Sequence, residues 1–181
     1  MKLILGVTGS VAAKLTPKLV AALLKAVPDV ELKVLTTERG HYFFLDHDID
    51  RRVRILTDRY EWPEGGYVKG APVPHIDLGE WADALVIAPL TADTLSDMAH
   101  GKADKFLTSV VLAWPREKPM ILAPAMNTRM WTNPITQANL RTVAGAYRTR
   151  VIEPQEGNLA CGVRGVGAMA DIGDIVAAVC R

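Results

Sequence analysis

The residues best suited to chemistry are Asn127 and its neighbours in the run Pro124-Ala125-Met126-Asn127-Thr128-Arg129-Met130-Trp131. This run directly follows the apolar, strand-like Pro119-Met120-Ile121-Leu122-Ala123. It therefore sets an amide and the thioethers of Met126 and Met130 just past the carboxyl end of a buried strand, where α/β sheets bind ligands. An Asn in such a Pro/Met/Trp-rich corner suits the holding of a carboxylate better than it suits a plain loop.

Other segments carry polar groups in comparable places. Gly6-Val7-Thr8-Gly9-Ser10 joins a first apolar strand to a first helix. Backbone N–H groups at that helix start, with the Ser10 hydroxyl, make a seat for a phosphate. The run is not G-x-G-x-x-G and Lys14 does not complete a P-loop, so dinucleotides and triphosphates lose ground. A single phosphomonoester fits better, as in FMN; a tight turn with no ligand is the competing reading. Thr91-Ala92-Asp93-Thr94 follows the central strand and could hydrogen-bond the edge of a flat heterocycle, or Thr91 or Asp93 could simply cap a helix. His75, in Pro74-His75-Ile76-Asp77-Leu78, is either a structural or exposed histidine or a positioned acid, base or anion contact. Cys161 lies in the glycine-rich Leu159-Ala160-Cys161-Gly162, where a mostly protonated thiol could deliver a proton. The inert, buried reading of a cysteine suits Cys180 better. With only these two cysteines, the chain has no disulfide framework and no C-x-x-C metal or redox pair.

The elements that must position these groups follow from composition and pattern. At 181 residues and 49% hydrophobic content, the chain suits one globular domain, 1–181, with a sizeable core. A net charge of +1 favours neither nucleic acid nor an anionic membrane. The Arg51-Arg52-Val53-Arg54 cluster reads as a solvated face or a strand entrance. No apolar stretch approaches the roughly 18 residues of a membrane span. Met1 to Leu5 enters a strand at once with no cleavage pattern, so a cytoplasmic location is expected.

Strands are expected at Lys2–Val7, Leu32–Leu35, Val53–Leu56, Ala84–Ala88 and Met120–Ala123. Helices are expected from Val11 to about Ala26, Thr37 to Leu45, Thr91 to His100, Lys105 to Ala113, Pro134 to about Ala144, and Asp171 to Cys180 with Asp171 as its cap. Ala84 to Ala88, unbroken until Pro89, fits a strand covered on both faces. Asp46 to Gly70 reads as a partly irregular insertion. Glu153 to Met169, rich in glycine, reads as a mobile loop of the kind that forms lids. Strands alternating with helices indicate an α/β fold, three-layered and doubly wound around a parallel sheet.

Taken in order, Gly9-Ser10-Val11-Ala12-Ala13-Lys14, Pro74 to Leu78, Ala88-Pro89-Leu90-Thr91-Ala92-Asp93-Thr94, Pro124 to Trp131, and Leu159 to Gly162 with Gly167-Ala168-Met169-Ala170 resemble the homo-oligomeric flavin-containing cysteine decarboxylases. The resemblance spans nearly the whole chain and is nearest to the branch that acts on 4′-phosphopantothenoylcysteine in coenzyme A biosynthesis. It implies a Rossmann-like flavoprotein with FMN as cofactor, a small cysteine-containing substrate, and a trimer or dodecamer with flavin and substrate at subunit interfaces. Gly9, Ser10 and Val11 would hold the FMN phosphate. Thr36 and Thr37 form a second flavin segment that matches loosely. Thr91, Ala92, Asp93, Thr94 and Ala125 would line the flavin. His75 would be the active-site histidine, Asn127 the carboxylate holder and Met126 a wall of the substrate pocket. Cys161 would be the proton donor on a substrate clamp that also includes Asn158 and Ala160.

The implied chemistry accounts for these residue types. Direct loss of CO2 from a cysteine leaves an unstabilised carbanion; prior hydride removal from Cβ gives a thioaldehyde placed like the ketone of a β-keto acid. CO2 loss then yields an ene-thiolate, which hydride return and a proton from Cys161 convert to the saturated thiol. Asn127 can hold the carboxylate without neutralising it as an Arg would. Related enzymes that stop at the ene-thiol act on peptide C-terminal cysteines; Cys161 argues against that reading. Asn127 and Cys161 argue against a flavin prenyltransferase, and the full set against a phosphatase-regulatory binding subunit. The family usually carries Asn where this chain has Asp93, and a carboxylate there opposes an anionic reduced flavin. No synthetase-like domain follows Arg181, so a stand-alone decarboxylase is expected.

Overall fold

Alternation along the strands decides the layers. The computed structural model describes residues 1–62, 65–66, 68–158, 162 and 164–181, with the side chain of Asn158 left aside. In β1 (Lys2–Val7), Leu3, Leu5 and Val7 face one side of the sheet and Ile4 the other. The same two-residue period splits β4 (Ala84–Leu90), with Ala84, Val86 and Ala88 opposite Leu85 and Ile87. It also splits β5 (Met120–Pro124), with Ile121 and Ala123 opposite Met120 and Leu122. Both faces therefore need helices, which is why these strands read as continuous apolar runs.

Beside these lie β2 (Glu31–Thr36), β3 (Arg54–Leu56) and β6 (Thr149–Val151), giving a six-stranded parallel sheet of order β3-β2-β1-β4-β5-β6. One face is covered by α1 (Thr16–Ala26) and α9 (Ile172–Val179), through Leu19, Leu23 and Ile175. The other is covered by α4 (Pro74–Trp81), α5 (Ala92–Ala99), α6 (Phe106–Leu112) and α8 (Pro134–Ala146), centred on the fully buried Phe106. This is the three-layer, doubly wound architecture expected. Strand order reverses between β1 and β4, and the crevice at their carboxyl ends is where such sheets take ligands. Among the described residues, no helix is long and apolar enough to cross a membrane, and no group of His, Cys, Asp or Glu could hold a metal ion.

Several boundaries differ from expectation for physical reasons. Val11 to Ala26 is not one helix: Val11–Leu15 forms a 3-10 turn, and α1 starts at Thr16 with Pro17 in its first turn. Pro17 lacks an N–H and its ring would crowd the carbonyl of Ala13, so a continuous α-helix across it is blocked. The helix expected over Thr37 to Leu45 shrinks to α2 (Glu38–His41), and the insertion holds another single turn, α3 (Asp58–Glu61). β4 runs through Pro89, because a register shift between Ile87 and Leu90 absorbs its missing donor. The edge strand β6 is short and polar and carried no signal.

The glycine-rich stretch is a correction. Its described residues are not a plain loop but an antiparallel ribbon, β7 (Gln155–Asn158) with β8 (Arg164–Ala168). Asp171 sits at the start of α9 without capping it through its side chain; its Oδ1 instead accepts from Gln155 Nε2 at 3.1 Å. That bond and Gln155 Nε2 to the Met169 carbonyl, 3.0 Å, tether the ribbon's base to the helix.

The carboxyl end of α4 is capped by one side chain. Lys118 Nζ donates to the carbonyls of Gly79, Glu80 and Ala82 at 2.9, 2.9 and 2.8 Å, satisfying acceptors a helix end leaves unpaired. Lys118→Met should lower unfolding free energy by about 1–2 kcal/mol in urea denaturation, with faster hydrogen exchange in α4.

Candidate active site

The turns after β1 and β4 are joined by a buried hydroxyl. Thr8 Oγ1 donates to the Pro89 carbonyl at 2.8 Å and accepts from the Thr91 N–H at 3.0 Å. Thr8 thereby fixes the Gly9–Ser10 turn against the start of α5, across the point where strand order reverses. Thr37 follows β2; its N–H donates to the Val7 carbonyl at 3.0 Å and its hydroxyl caps α2 by accepting from Gly40 N–H at 3.1 Å. Gly9 is required by close approach, since a Cβ there would come 2.6 Å from Arg39 Cβ. After β5, Ala125 N–H donates to the Leu90 carbonyl at 2.9 Å, locking the third turn to the second.

These turns surround a cavity of about 690 Å3, within the range of small-molecule and cofactor sites. Gly9, Ser10, Thr37, Ala92, Ala125 and Met126 line it, together with Thr91, Asp93 and Thr94. The residues suit a flat, phosphorylated cofactor: small side chains let a ring approach the backbone, and Ser10 stands at one end. The Ser10 hydroxyl makes one long contact in the fold, accepting from Ala12 N–H at 3.3 Å. Thr91 takes the capping role, accepting from Thr94 N–H at 3.3 Å.

The remaining expected residues are placed differently. Thr36 is buried below the cavity, its hydroxyl donating to the Thr37 carbonyl at 3.0 Å, and Val11 is on the surface. Asn127 is next to Met126 at the start of α7 (Thr128–Trp131), where its Oδ1 accepts from Arg129 N–H at 2.9 Å. His75 is on α4, off the cavity wall of its own chain, with Nδ1 2.5 Å from Glu61 Oε1. Asn158 is in β7. Ala160 and Cys161 lie outside the described residues.

The ribbon lies against the Asn127 turn. Met126 N–H donates to the Gly167 carbonyl at 2.9 Å. Gly167 has φ +151°, and a Cβ there would collide with the Met126 carbonyl oxygen, so only glycine permits this contact. A Cβ at Gly165 would likewise strike Thr128 Oγ1.

The charged part of the wall was not anticipated. Arg39, Asp58, Lys102, Asp104 and Lys105 all line the cavity. Lys105 Nζ is 2.5 Å from Asp97 Oδ2 and 3.5 Å from Asp93 Oδ2. Burial pulls the Lys105 ammonium down, but the Asp97 hydrogen bond and the nearby carboxylates outweigh it, and it is held above the usual lysine range. Lys102 is also raised, through its hydrogen bond to Asp104 at 2.8 Å, which in turn lowers the Asp104 carboxyl. Asp93 thus faces a lysine cation, which offsets the repulsion expected between its carboxylate and an anionic flavin. No local pattern marks Lys105; only the fold sets α6 beside α5.

Comparison with known proteins bears on this site. The family model described as "Flavoprotein" matches residues 1–181. A phosphopantothenoylcysteine decarboxylase of Mus musculus is 43% identical over 178 residues, covering 98% of this chain and 85% of the mouse protein. Among solved structures, a Cys→Ser variant of a PPC decarboxylase complexed with pantothenoylaminoethenethiol matches with a TM-score of 0.92 at 37% identity, covering 98% of this chain and 95% of that one. The FMN-binding protein AtHal3 matches with a TM-score of 0.88 at 38% identity, covering 98% and 94%.

Replacing the cation tests the balance of the wall. Lys105→Met should destabilise the protein by about 1–3 kcal/mol, less than breaking a fully buried pair, because 27% of the Lys105 side chain remains accessible. Adding Asp97→Asn should recover most of that loss in chemical denaturation.

Proposed function

The chain belongs to the flavoprotein family and is a carboxy-lyase of the phosphopantothenoylcysteine decarboxylase type, and from that premise we propose that it decarboxylates 4′-phosphopantothenoylcysteine to 4′-phosphopantetheine with FMN as its flavin. The observation carrying this reading is the cavity at the β1/β4 reversal, bounded by the Gly9–Ser10 turn, the Thr91–Thr94 segment and the Ala125–Met126 turn. Residues 1–181 act in it as one flavoprotein domain.

When bound, the flavin supplies two-electron chemistry: a hydride leaves the cysteine Cβ, CO2 departs from the resulting thioaldehyde, and hydride return with a proton gives the thiol. Gly9, Ser10 and Val11 hold the phosphate, with backbone N–H groups and the Ser10 hydroxyl as donors. Thr36 and Thr37 support that end, while Thr91, Ala92, Asp93, Thr94 and Ala125 border the ring. Asn127 donates its amide N–H to the substrate carboxylate; the bond from Arg129 N–H to Oδ1 sets its orientation. Met126 packs against the substrate. Asn158 and Ala160 hold it from the clamp, and Cys161 gives the final proton to carbon. The PPC decarboxylase Cys→Ser variant bound to pantothenoylaminoethenethiol, itself an ene-thiol, supports a cysteine at this last step.

His75 acts from a neighbouring copy in a homo-oligomer, a trimer or a dodecamer. Supporting this, His75 is off the cavity wall of its own chain, and exposed apolar residues flank it in sequence: Val73 is 46% accessible and Ile76 40%. Light scattering on purified protein should give a multiple of three copies, and a monomer would overturn this placement.

The decisive experiment pairs a visible absorption spectrum with mass analysis of the reaction with phosphopantothenoylcysteine. A bound-flavin spectrum and a product lighter by CO2 alone are expected. Loss of CO2 plus two hydrogens would assign the peptide-type oxidative reaction instead. Asn127→Ala should keep the flavin spectrum and lose turnover on the order of a hundredfold. Cys161→Ser should accumulate an ene-thiol absorbing in the near ultraviolet; a normal saturated product would assign the proton to another acid.

A further inference from the structure

Glu61 is a buried carboxylate with an oxygen unpartnered among the described residues. It ends the single-turn α3, and only 4% of its side chain is accessible. Asp and Glu are seldom buried to this degree unless paired. Its Oε1 meets His75 Nδ1 at 2.5 Å, while its Oε2 is buried with no hydrogen-bond partner among the described residues. A carboxylate with one oxygen unsatisfied is a poor structural element, and an apolar side chain of similar volume would stabilise the same place better. The turn is held firmly: Asp58 Oδ1, at its other end, accepts from Phe106 N–H at 2.7 Å, and Tyr60 packs 5.8 Å from the Phe106 ring. One short helix therefore reaches from the cavity wall, at Asp58, to His75.

From this geometry we propose that Glu61 is the positioning residue of His75, fixing its ring orientation and tautomer. An ionised carboxylate only accepts hydrogen bonds, so Nδ1 must carry the proton. The other ring nitrogen, Nε2, is then an acceptor on the neutral ring and a donor on the cation, and it makes whatever contact His75 has with substrate. With 28% of the His75 side chain accessible, one face of the ring stays open for that contact. The inference rests on the reading of His75 as an active-site residue.

The test uses flavin-loaded full-length protein labelled with 15N-histidine, the His75 signal being assigned by its loss in His75→Asn. In alkaline buffer, wild-type His75 should show the Nδ1–H tautomer. Glu61→Leu should shift it toward the Nε2–H form that free imidazole prefers. It should also lower kcat by about tenfold or more with KM little changed, while the bound-flavin spectrum stays that of wild type. Glu61→Gln, whose amide oxygen still accepts from Nδ1–H, should keep the tautomer and recover part of kcat. A wild-type Nε2–H tautomer, or Glu61→Leu with wild-type kcat, would overturn the proposal. Full turnover in His75→Asn would overturn it through the histidine. Flavin-loaded wild type without turnover would remove the decarboxylase reading alone, since the tautomer comparison would still decide the pair.

Discussion

The site depends first on the Thr8 hydroxyl. It is buried at the reversal of strand order, where it bonds to the Pro89 carbonyl and the Thr91 N–H. The turn after β1 and the turn after β4 are thus one unit, and the Ala125 N–H to Leu90 carbonyl bond adds the turn after β5. Gly9, Thr91 and Ala125 belong to distant parts of the chain, yet their separation is set by three hydrogen bonds. Interior hydrogen bonds of this kind are hard to exchange for water, so the cavity floor is rigid before any ligand arrives.

On that floor the wall is electrostatically mixed. Read as a local feature, Asp93 would be an unfavourable charge for an anionic ligand in the cavity. In the fold it belongs to a network in which Lys105 reaches both Asp93 and Asp97, and Lys102 reaches Asp104. The carboxylates hold both lysines in their charged form. A single acidic residue therefore says little about the potential in this cavity; the cation contributed by the next helix decides it.

The ribbon packs on the Asn127 turn, and α4 carries His75. Glycines at 165 and 167 let β8 lie on the Asn127 turn at backbone distance, so the ribbon and that turn are built against each other. α4 is pinned by Lys118 at its carboxyl end and by Glu61 at its first turn. His75 is consequently a well-held, partly accessible group that lies off the cavity wall.

The layers of the sheet, the α/β class and the turns after β1, β4 and β5 were legible in the chain, because a doubly covered strand needs an unbroken apolar run and a strand-to-helix turn needs small or polar residues. Ser10, Thr91 and Ala125 reach the cavity wall for that local reason. Pro17, which starts α1 late, is legible too, through its missing N–H. The ribbon was not: Gly157, Gly165 and Gly167 have no strand preference, and their pairing exists only because the Asn127 turn offers a surface without room for a Cβ. Lys105, Lys102 and Glu61 were also hidden, since an ion pair or a carboxylate–imidazole bond joins residues whose separation in sequence carries no period. Local steric and hydrophobic rules thus determined the scaffold, whereas the charges and the orientation of His75 were decided by long-range packing.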